Sequence, residues 1–405
     1  MANTKTAQTL IKPMARRRWL KRLPLCASTL YLPTRFSQAA QTHFFDPVQL
    51  GRPLIFPRDH GAHLNFRTEW WYVTGFLAPS QGQGESLGFQ VTFFRSATAE
   101  ASTNPSRFAA TQLLFSHAAL ALKSEGKLIH DQTAMRAGFD RLTTLSAQDT
   151  DVRSMVRSRA RFIKREEKSP GASTYTISVH APTFSLDLNM TAPTPPALQG
   201  VMGFSQKGPS IKQASHYYSR PQLQVQGRVI VNKLNAQNYR GRAWMDHEWS
   251  NEVLDESAAG WDWLGLNFDN GHSLMAFQIR PRLTGEPIWS EVRGFNSQGG
   301  VDFVLPAQDQ APARREALKF KPKRFWRSLR SNALYPVELD IELQRPNSSV
   351  KRILSLQPLM DDQEVDARAS TGGFYWEGLV YVFENQKRIG QGYLELTGYA
   401  APMKI

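Results

Sequence analysis

Residues 70–77 read WWYVTGFL, and after a short polar turn residues 87–94 read LGFQVTFF. Both runs are rich in aromatic and β-branched residues, a composition typical of β-strands that a short turn joins into an antiparallel pair. Similar runs, broken by Gly, Pro, Asn and Asp, continue along the chain, for example TYTISV at residues 174–179. Because no long stretch keeps a helical period, the sequence predicts an all-β fold of antiparallel barrels with few short helices.

A second copy of this hairpin pattern occurs later in the chain. In the first copy, WYVTG begins at residue 71 and SLGFQV begins at residue 86. In the second copy, the corresponding WDWLG begins at residue 261 and SLMAFQI begins at residue 273. The first motifs of the two copies are 190 residues apart, a spacing too long for a solenoid repeat and suited to a duplicated domain. Chance similarity between two aromatic hairpins is the alternative.

The chain length supports the duplication, because 405 residues are enough for two domains that each bury a core. We place the boundary near residue 235. This predicts an N-terminal β-barrel domain over residues 45–235 and a C-terminal β-barrel domain over residues 236–405.

Residues 1–39 are basic and contain no Asp or Glu. A basic stretch from Arg16 to Arg22 precedes a short apolar run at residues 23–32 and a small-x-small pattern that ends at Ala39. This order predicts an export signal cleaved near Ala39, and RRRWL at residues 16–20 resembles a twin-arginine signal. We therefore expect a periplasmic or secreted protein. An amphipathic helix or a basic tail is the alternative.

The net charge of +14 raises the question of an anionic partner. Removal of the eight Lys and Arg residues of the predicted signal would leave about +6. Basic runs at residues 153–168 and 314–330 are interleaved with apolar residues, and the second run is compatible with single-stranded nucleic acid or anionic lipid. Solvated loops and edge strands explain them more simply, so no nucleic-acid partner is predicted. No apolar run reaches the roughly 18–20 residues of a membrane span.

The residue types exclude several catalytic chemistries. Cys26 is the one cysteine and lies in the predicted signal, so the mature chain would have no disulfide or thiol nucleophile. Residues 203–208, GFSQKG, lack the spacing of a serine nucleophile elbow. His247 and Glu248 are followed by Asn251 where zinc proteases have their second histidine. Serine and zinc hydrolases are therefore disfavoured, and no cofactor is predicted.

A loop with two histidines precedes the first strand. Asp59, His60 and His63 could in principle hold a metal ion, but the loop supplies no further fixed ligand. Hydrogen bonds that order a turn are the favoured interpretation, and no metal site is predicted.

Residues 242–249, RAWMDHEW, combine acids, a histidine and indoles. Alternate side chains of a strand share a face. This rule predicts two sets: Trp244, Asp246 and Glu248 on one face, and His247 and Trp249 on the other. It also places Trp261 and Trp263 together, with Asp262 on the opposite face. Alternatively, the indoles fill the core and the acids pair with arginines such as Arg242.

An aromatic-walled cavity with a few polar groups is what a hydrophobic ligand requires. The candidates for lining such a cavity are Trp70, Trp71, Tyr72, Tyr217, Trp244, Trp249, Trp261, Trp263, Tyr375 and Trp376. Packing alone also explains many of these rings.

Several motifs together carry a resemblance to a known family. They are the segment at residues 56–75, QLLFSHAAL at 112–120, KG at 207–208, YYS at 217–219, the segments at 244–249 and 260–263, and YWEG at 375–378. Together they resemble the AttH / carotenoid 1,2-hydratase-like group of lipocalin-like proteins, over nearly the whole chain after the signal. The resemblance implies two consecutive lipocalin-like barrels, frequent export, an association with ABC exporters, and frequent labels of secreted hydrolase or carotenoid hydratase.

Three functions follow as hypotheses. The first is an exported carrier of a hydrophobic lipid or isoprenoid, in association with an ABC exporter. The second is a hydro-lyase that adds water to an isolated carbon–carbon double bond, with Asp246 or Asp262 as the buried acid and His247 orienting or accepting a proton. The third is a scaffold or adaptor without a ligand.

Overall fold

The computed structural model describes residues 45–403, apart from residues 83, 99–103, 105, 107–108, 138–142, 157–158, 170–171, 233, 253, 284, 307–316 and 345–349. The predicted export signal and Cys26 lie outside the described residues. Within the described part, no helix combines the length and apolar character that a membrane crossing requires.

The first sheet is antiparallel and has 13 strands. The strands are β1 (Thr68–Pro79), β2 (Leu87–Ala97), β3 (Gln112–Leu122), β4 (Ile129–Arg136), β5 (Thr143–Leu145), β6 (Asp151–Val156), β7 (Arg159–Ser169), β8 (Ala172–His180), β9 (Phe184–Thr191), β10 (Ala197–Leu198), β11 (Phe204–Gln206), β12 (Ala214–Val231) and β13 (Gln237–Glu252). Their main order is β4-β3-β2-β1-β13-β12-β9-β8-β7-β6-β5, and β10 and β11 pair with β12.

The second sheet is also antiparallel and has 10 strands. The strands are β14 (Ala258–Phe268), β15 (Ser273–Pro281), β16 (Trp289–Phe295), β17 (Val301–Pro306), β18 (Leu318–Arg327), β19 (Leu334–Gln344), β20 (Lys351–Pro358), β21 (Glu364–Asp366), β22 (Phe374–Glu384) and β23 (Lys387–Leu396). Their main order is β17-β16-β15-β14-β23-β22-β20-β19-β18, and β21 pairs with β22.

The predicted all-β class, with two consecutive lipocalin-like sheets and few helices, is confirmed. The described helices are two single turns of 3₁₀-helix, Arg58–His60 and Lys123–Glu125. In each sheet most neighbouring strands are consecutive in sequence, which is how antiparallel strands pair when short turns join them.

The first sheet extends beyond the boundary that the sequence places near residue 235. That position lies in the turn between β12 and β13, where Asn232 has a φ of 51°. The strand β13 pairs with β1 on one side and β12 on the other, so the change of sheet falls between Glu252 and Ala258.

Both faces of β1 are buried, and they face different partners. Trp71, Val73 and Leu77 point into the core of the first sheet. Tyr72 belongs to a separate cluster that joins the first sheet to the second. Because successive residues of a strand point to opposite faces, one strand supplies both layers and reads as a nearly unbroken apolar run.

We call the interface between the two sheets the seam. Its buried apolar side chains include Tyr72, Tyr217 and Trp244 from the first sheet and Trp263, Met275, Phe277, Leu379 and Tyr393 from the second. The sheets approach closely at Gly88, where an added Cβ would lie 2.5 Å from the Tyr393 hydroxyl oxygen and 2.9 Å from the Leu379 Cβ. Glycine is therefore required at this position by the packing of the second sheet.

We expect Gly88→Leu to lower the free energy of unfolding by about 1–3 kcal/mol, because the larger side chain overpacks the seam. Urea unfolding measures this change. Gly373→Ala is the matched control: an added Cβ there meets nothing within 4 Å, so its effect should stay within about 0.5 kcal/mol. A Gly88→Leu variant as stable as the wild type would contradict the close approach of the two sheets.

Candidate functional site

On the first sheet, five side chains form a row that faces the second sheet. Directly paired positions run from Ser219 on β12 to Asp246 on β13, Tyr72 on β1, Thr92 on β2 and His117 on β3. Side chains at paired positions of neighbouring strands point to the same face. The row therefore brings a carboxyl group, a phenol and an imidazole onto one surface.

On the second sheet, a matching row runs across β22, β23, β14, β15 and β16. Its members are Glu377, Glu395, Trp263, Phe277 and Glu291. Glu377 and Glu395 occupy directly paired positions. Two carboxyl groups on one face at this separation disfavour each other's ionisation.

Around these two rows, the sheets meet through aromatic contacts and a hydrogen bond. The indole nitrogen of Trp263 donates to the Tyr217 hydroxyl oxygen over 3.2 Å. The rings of Tyr72 and Trp263 meet edge to face, with centroids 5.4 Å apart, and those of Trp244 and Trp263 are 6.2 Å apart. The seam is thus a largely apolar layer in which a few acids are embedded.

Asp246 is buried in the seam and accepts three hydrogen bonds. The donors are the Tyr217 hydroxyl at 2.8 Å, the Ser219 hydroxyl at 2.5 Å and the Trp244 indole nitrogen at 2.6 Å. Burial raises the pKa of Asp246 to about 7, even though these donors favour the ionised form. At neutral pH this carboxyl group is therefore divided between its two protonation states.

Glu377 is more extreme because its two carboxyl oxygens are buried and have no hydrogen-bond partner of normal geometry among the described residues. Burial and the charge of Glu395 raise its pKa well above the usual range, and the neighbouring hydroxyls of Tyr72 and Tyr375 offset this only in part. The Tyr72 hydroxyl is itself buried beside this carboxyl group, which raises the pKa of Tyr72 further. Burial and the neighbouring carboxyl group therefore favour the protonated form of Glu377.

Glu395 completes a set of three acids. Burial, with the charges of Asp246 and Glu248, raises its pKa to about 7, and the Trp261 indole bonds to it. The sequence did not predict Glu377 and Glu395 as site residues, although Glu377 lies inside the YWEG motif. Strand alternation could have placed Glu377 on the same face as Tyr375, but the pairing of β22 with β23 was needed to join it to Glu395.

The structure divides the predicted ligand-binding residues between several layers. Those in the seam cluster are Trp70, Tyr72, Tyr217, Trp244, Trp261 and Trp263. Trp71 packs in the core of the first sheet, Trp249 packs against Tyr218 and Phe66, and Trp376 lies in the core of the second sheet. Tyr375 lies at the edge of the seam, where its hydroxyl contacts Gln90 at 3.2 Å and His117 at 2.9 Å.

Asp262 is not part of the seam. It points to the opposite face from Trp261 and Trp263, as alternation predicts, and accepts hydrogen bonds from Arg280 at 2.8 Å and Gln278 at 2.7 Å. Burial raises its pKa, and the Arg280 guanidinium opposes that effect. The sequence left open, as an alternative, that these acids pair with arginines. Asp262 follows this alternative, because it pairs with Arg280.

His247 also points away from Asp246, into the first sheet. Its Nε2 donates to Glu69 Oε1 over 2.9 Å, and its ring stacks on Trp71 with centroids 4.7 Å apart. Burial lowers the pKa of His247. Because Asp246 and His247 occupy opposite faces of β13, they do not share a proton.

His247 belongs to a second buried group, which we call the histidine cluster: His63, Glu69 and His247. His63 Nδ1 donates to Glu69 Oε1 over 2.7 Å, and one ligand atom from each residue lies within 4.8 Å of the others. Arg95 Nε donates to Glu69 Oε2 over 2.9 Å. Burial would raise the pKa of Glu69, but His63, His247 and Arg95 outweigh it and lower the pKa far below its usual range.

The loop before β1 forms the hydrogen-bonded turn that the sequence favoured. Asp59 accepts hydrogen bonds from the Ile55 backbone nitrogen at 2.7 Å and from Arg52 at 3.1 Å. Burial alone would lower the pKa of His63, but the carboxylates of Glu69 and Asp59 raise it. The loop is thus tied electrostatically to β1.

A small cavity of about 10 Å³ lies in the seam, lined in part by Thr74, Trp244, Leu379 and Tyr393. This is about the space that a single water molecule occupies. The seam therefore has room for water beside its indoles, whereas a larger guest would have to displace side chains.

The family of the chain is decided by a sequence comparison over most of its length. The AttH-like family model matches residues 47–399. The chain belongs to the AttH-like family. The resemblance predicted from its motifs is therefore confirmed.

Solved structures agree with this family and with the fold. A crystal structure of an AttH protein from Nitrosomonas europaea is 41% identical, with a TM-score of 0.76, and the match covers 88% of this chain and 100% of that one. Kievitone hydratase from Nectria haematococca shares the fold at 14% identity, with a TM-score of 0.58 over 88% of this chain and 98% of that one. Among curated proteins, no relative matches the sequence.

The raised pKa of Asp246 predicts a pH-dependent stability. The unfolded carboxyl group loses its proton near pH 3.8 and the folded one near pH 7, so the folded state binds more protons between these values. The contribution of Asp246 to stability therefore falls as the pH rises from about 4 to about 7.

We expect Asp246→Asn to remove this dependence. Relative to the wild type, the variant should gain about 1 kcal/mol of unfolding free energy for each pH unit within that window. Urea unfolding at a series of pH values measures the gain. The exposed Asp269→Asn controls for the lost surface charge, and identical pH profiles for Asp246→Asn and the wild type would contradict the assignment.

Proposed function

We propose that this protein binds a hydrophobic, isoprenoid-like molecule at the seam and adds water to an isolated carbon–carbon double bond of that molecule. The observation that carries the proposal is Glu377, a buried carboxyl group beside Tyr72, Tyr375 and Glu395 and next to a layer of aromatic rings, with its protonated form favoured. An alkene is a weak base, so its protonation requires an acid that is kept dry and neutral. The shared fold with a hydratase supports the same reaction class.

In the proposed first step, Glu377 transfers its proton to one alkene carbon and becomes a carboxylate. The neighbouring alkene carbon becomes a carbocation. The electron-rich faces of Trp263 and Trp244 stabilise that positive charge, as aromatic faces stabilise other cations. The new Glu377 carboxylate adds an opposite charge in a medium of low dielectric constant.

In the second step, a water molecule in the seam attacks the carbocation and forms a carbon–oxygen bond. Asp246, whose pKa of about 7 leaves part of it ionised at neutral pH, accepts the proton that the water loses. Glu395 occupies the position paired with Glu377 and is influenced by the charge of Asp246, so in this scheme it takes the proton from Asp246 and passes a proton to Glu377. One water is consumed, and the acid is regenerated.

The apolar rim of the seam offers a route for the substrate. Partly buried Trp70, Leu254, Trp261, Ile288 and Trp289 pack against the buried seam cluster. Their exposed portions present apolar surface from which a hydrophobic chain gains burial when it binds. These side chains must move to admit the substrate, since the cavity in the seam holds about one water molecule.

A carrier without catalysis is the second candidate, because the same apolar rim would hold a lipid or isoprenoid without chemistry. The basic and apolar order of residues 1–39 favours export, with the mature chain periplasmic or secreted and in association with an ABC exporter. Export and the exporter are proposals that rest on this segment and on the family resemblance.

We expect Glu377→Gln to lower the rate of alkene hydration by about 100-fold to 10,000-fold, the usual contribution of a general acid. The assay incubates an acyclic terpenoid with isotopically labelled water and measures the labelled tertiary alcohol by mass spectrometry. The exposed Glu256→Gln is the matched control and should keep the wild-type rate.

Ligand binding separates the two candidates. Glu377→Gln should still bind the terpenoid, and binding should quench the tryptophan fluorescence of the seam in the wild type and in the variant. Binding without hydration by the wild type would favour the carrier. Neither binding nor hydration would contradict both functions and leave the scaffold interpretation.

A further inference from the structure

The histidine cluster brings together ligand atoms from a loop and from two strands. We propose that His63, Glu69 and His247 bind one divalent transition-metal ion, with zinc as the best match. The residues come from the loop before β1, from β1 and from β13, and they converge on one point. This inference is independent of the proposed hydration, because the cluster and Asp246 lie on opposite faces of β13.

Two of the three ligand-atom separations are close to those that a metal would impose, and the third, between the two imidazole nitrogens, is within 4.8 Å. His63 Nδ1 and His247 Nε2 lie 2.7 Å and 2.9 Å from the same atom, Glu69 Oε1. Bonds of about 2.0–2.1 Å from zinc to nitrogen or oxygen place tetrahedral ligands about 3.3 Å apart. Each imidazole nitrogen would move away from Glu69 Oε1 by about half an ångström as an ion replaces the two hydrogen-bonding protons between them.

Each ligand also has a partner on its other polar atom. Asp59 Oδ1 lies 3.3 Å from His63 Nε2, the Tyr218 hydroxyl lies 3.2 Å from His247 Nδ1, and Arg95 Nε donates to Glu69 Oε2 over 2.9 Å. Such partners fix the ring tautomer and the orientation of metal ligands. With a metal on His247 Nε2, its Nδ1–H would donate to Tyr218, whose hydroxyl hydrogen could turn to His60 Nδ1, 2.7 Å away.

The chemistry of the donors selects the class of ion. Two imidazole nitrogens and one carboxylate oxygen are a ligand set that zinc uses, whereas calcium and magnesium prefer oxygen ligands alone. The carboxylates of Glu69 and Asp59 lie beside the site, and each is also paired with arginine: Glu69 with Arg95, and Asp59 with Arg52 and Arg58. The His63 side chain is 11% exposed, which gives an ion an approach from the surface to a site whose other two ligands are fully buried.

Burial of the ligand set under aromatic rings indicates a structural role. The His63 ring stacks on Trp249 with centroids 3.6 Å apart, and the His247 ring stacks on Trp71. An ion bound here would connect the loop before β1 to β1 and β13 at one end of the first sheet. It should therefore stabilise the folded chain by mass action.

The test uses the mature chain, freed of metal with a chelator and then equilibrated with zinc or cobalt chloride. We expect one zinc ion per chain after gel filtration, a higher Tm with zinc that the chelator reverses, and a Co²⁺ visible spectrum of low coordination number. His63→Gln and His247→Gln should each lose the stoichiometric zinc. His180→Gln, which removes an exposed imidazole, should keep it.

The wild-type result alone can overturn the proposal. A folded wild-type chain that retains no zinc and leaves the Co²⁺ spectrum hexa-aqua would show that the cluster is held by hydrogen bonds only. One zinc retained by both folded cluster variants would place the metal elsewhere. If the variants do not fold, the cobalt spectrum and the reversible Tm shift of the wild type decide the question.

Discussion

The packing of the second sheet on the outer face of β1 and β13 is the interaction on which the rest of the molecule depends. In a single barrel that face would meet water, and its residues would be polar. Here Tyr72, Trp244 and Asp246 lie between the sheets instead, and Gly88 lets the sheets approach. Burial between the sheets gives the acids of the seam their raised pKa values and places them beside indoles.

Two buried glutamates show how strongly local partners control the chemistry of this fold. Glu69 and Glu377 are 0% and 1% exposed. Two histidines and Arg95 surround Glu69 and favour its ionised form, whereas Glu377 faces another carboxyl group and its protonated form is favoured. The first is suited to hold a cation and the second to donate a proton. Glu69 lies on the core face of the first sheet, whereas Glu377 lies on the second sheet and faces the seam.

The sequence predicted the features that depend on local pattern. The aromatic runs gave the all-β class, and alternation correctly separated Asp246 from His247 and Asp262 from Trp263. Features that depend on long-range pairing were not predictable in this way. Glu377 shares a row with Glu395 and Trp263 only because β22 pairs with β23 and β23 with β14, a register that no local signal specifies.

The same reason explains why the domain boundary and the proposed metal-binding residues were not predicted. A turn near residue 235 looks like a linker, yet β13 returns to pair with β1. From the sequence, His63 is only a histidine in a loop. Glu69 and His247 come close to it only because β1 pairs with β13. Glu69 and His247 occupy neighbouring registers on these strands, with Glu69 paired to Trp249 and Trp71 paired to His247.

The central claim is that Glu377 is a neutral acid inside the seam at physiological pH. Infrared difference spectroscopy between the wild type and Glu377→Gln tests this claim directly, because a protonated carboxyl group has a carbonyl stretch distinct from that of a carboxylate. At neutral pH, a protonated-carboxyl band that is present in the wild type and absent from the variant is the expected result. A difference spectrum that contains only carboxylate bands would contradict the claim.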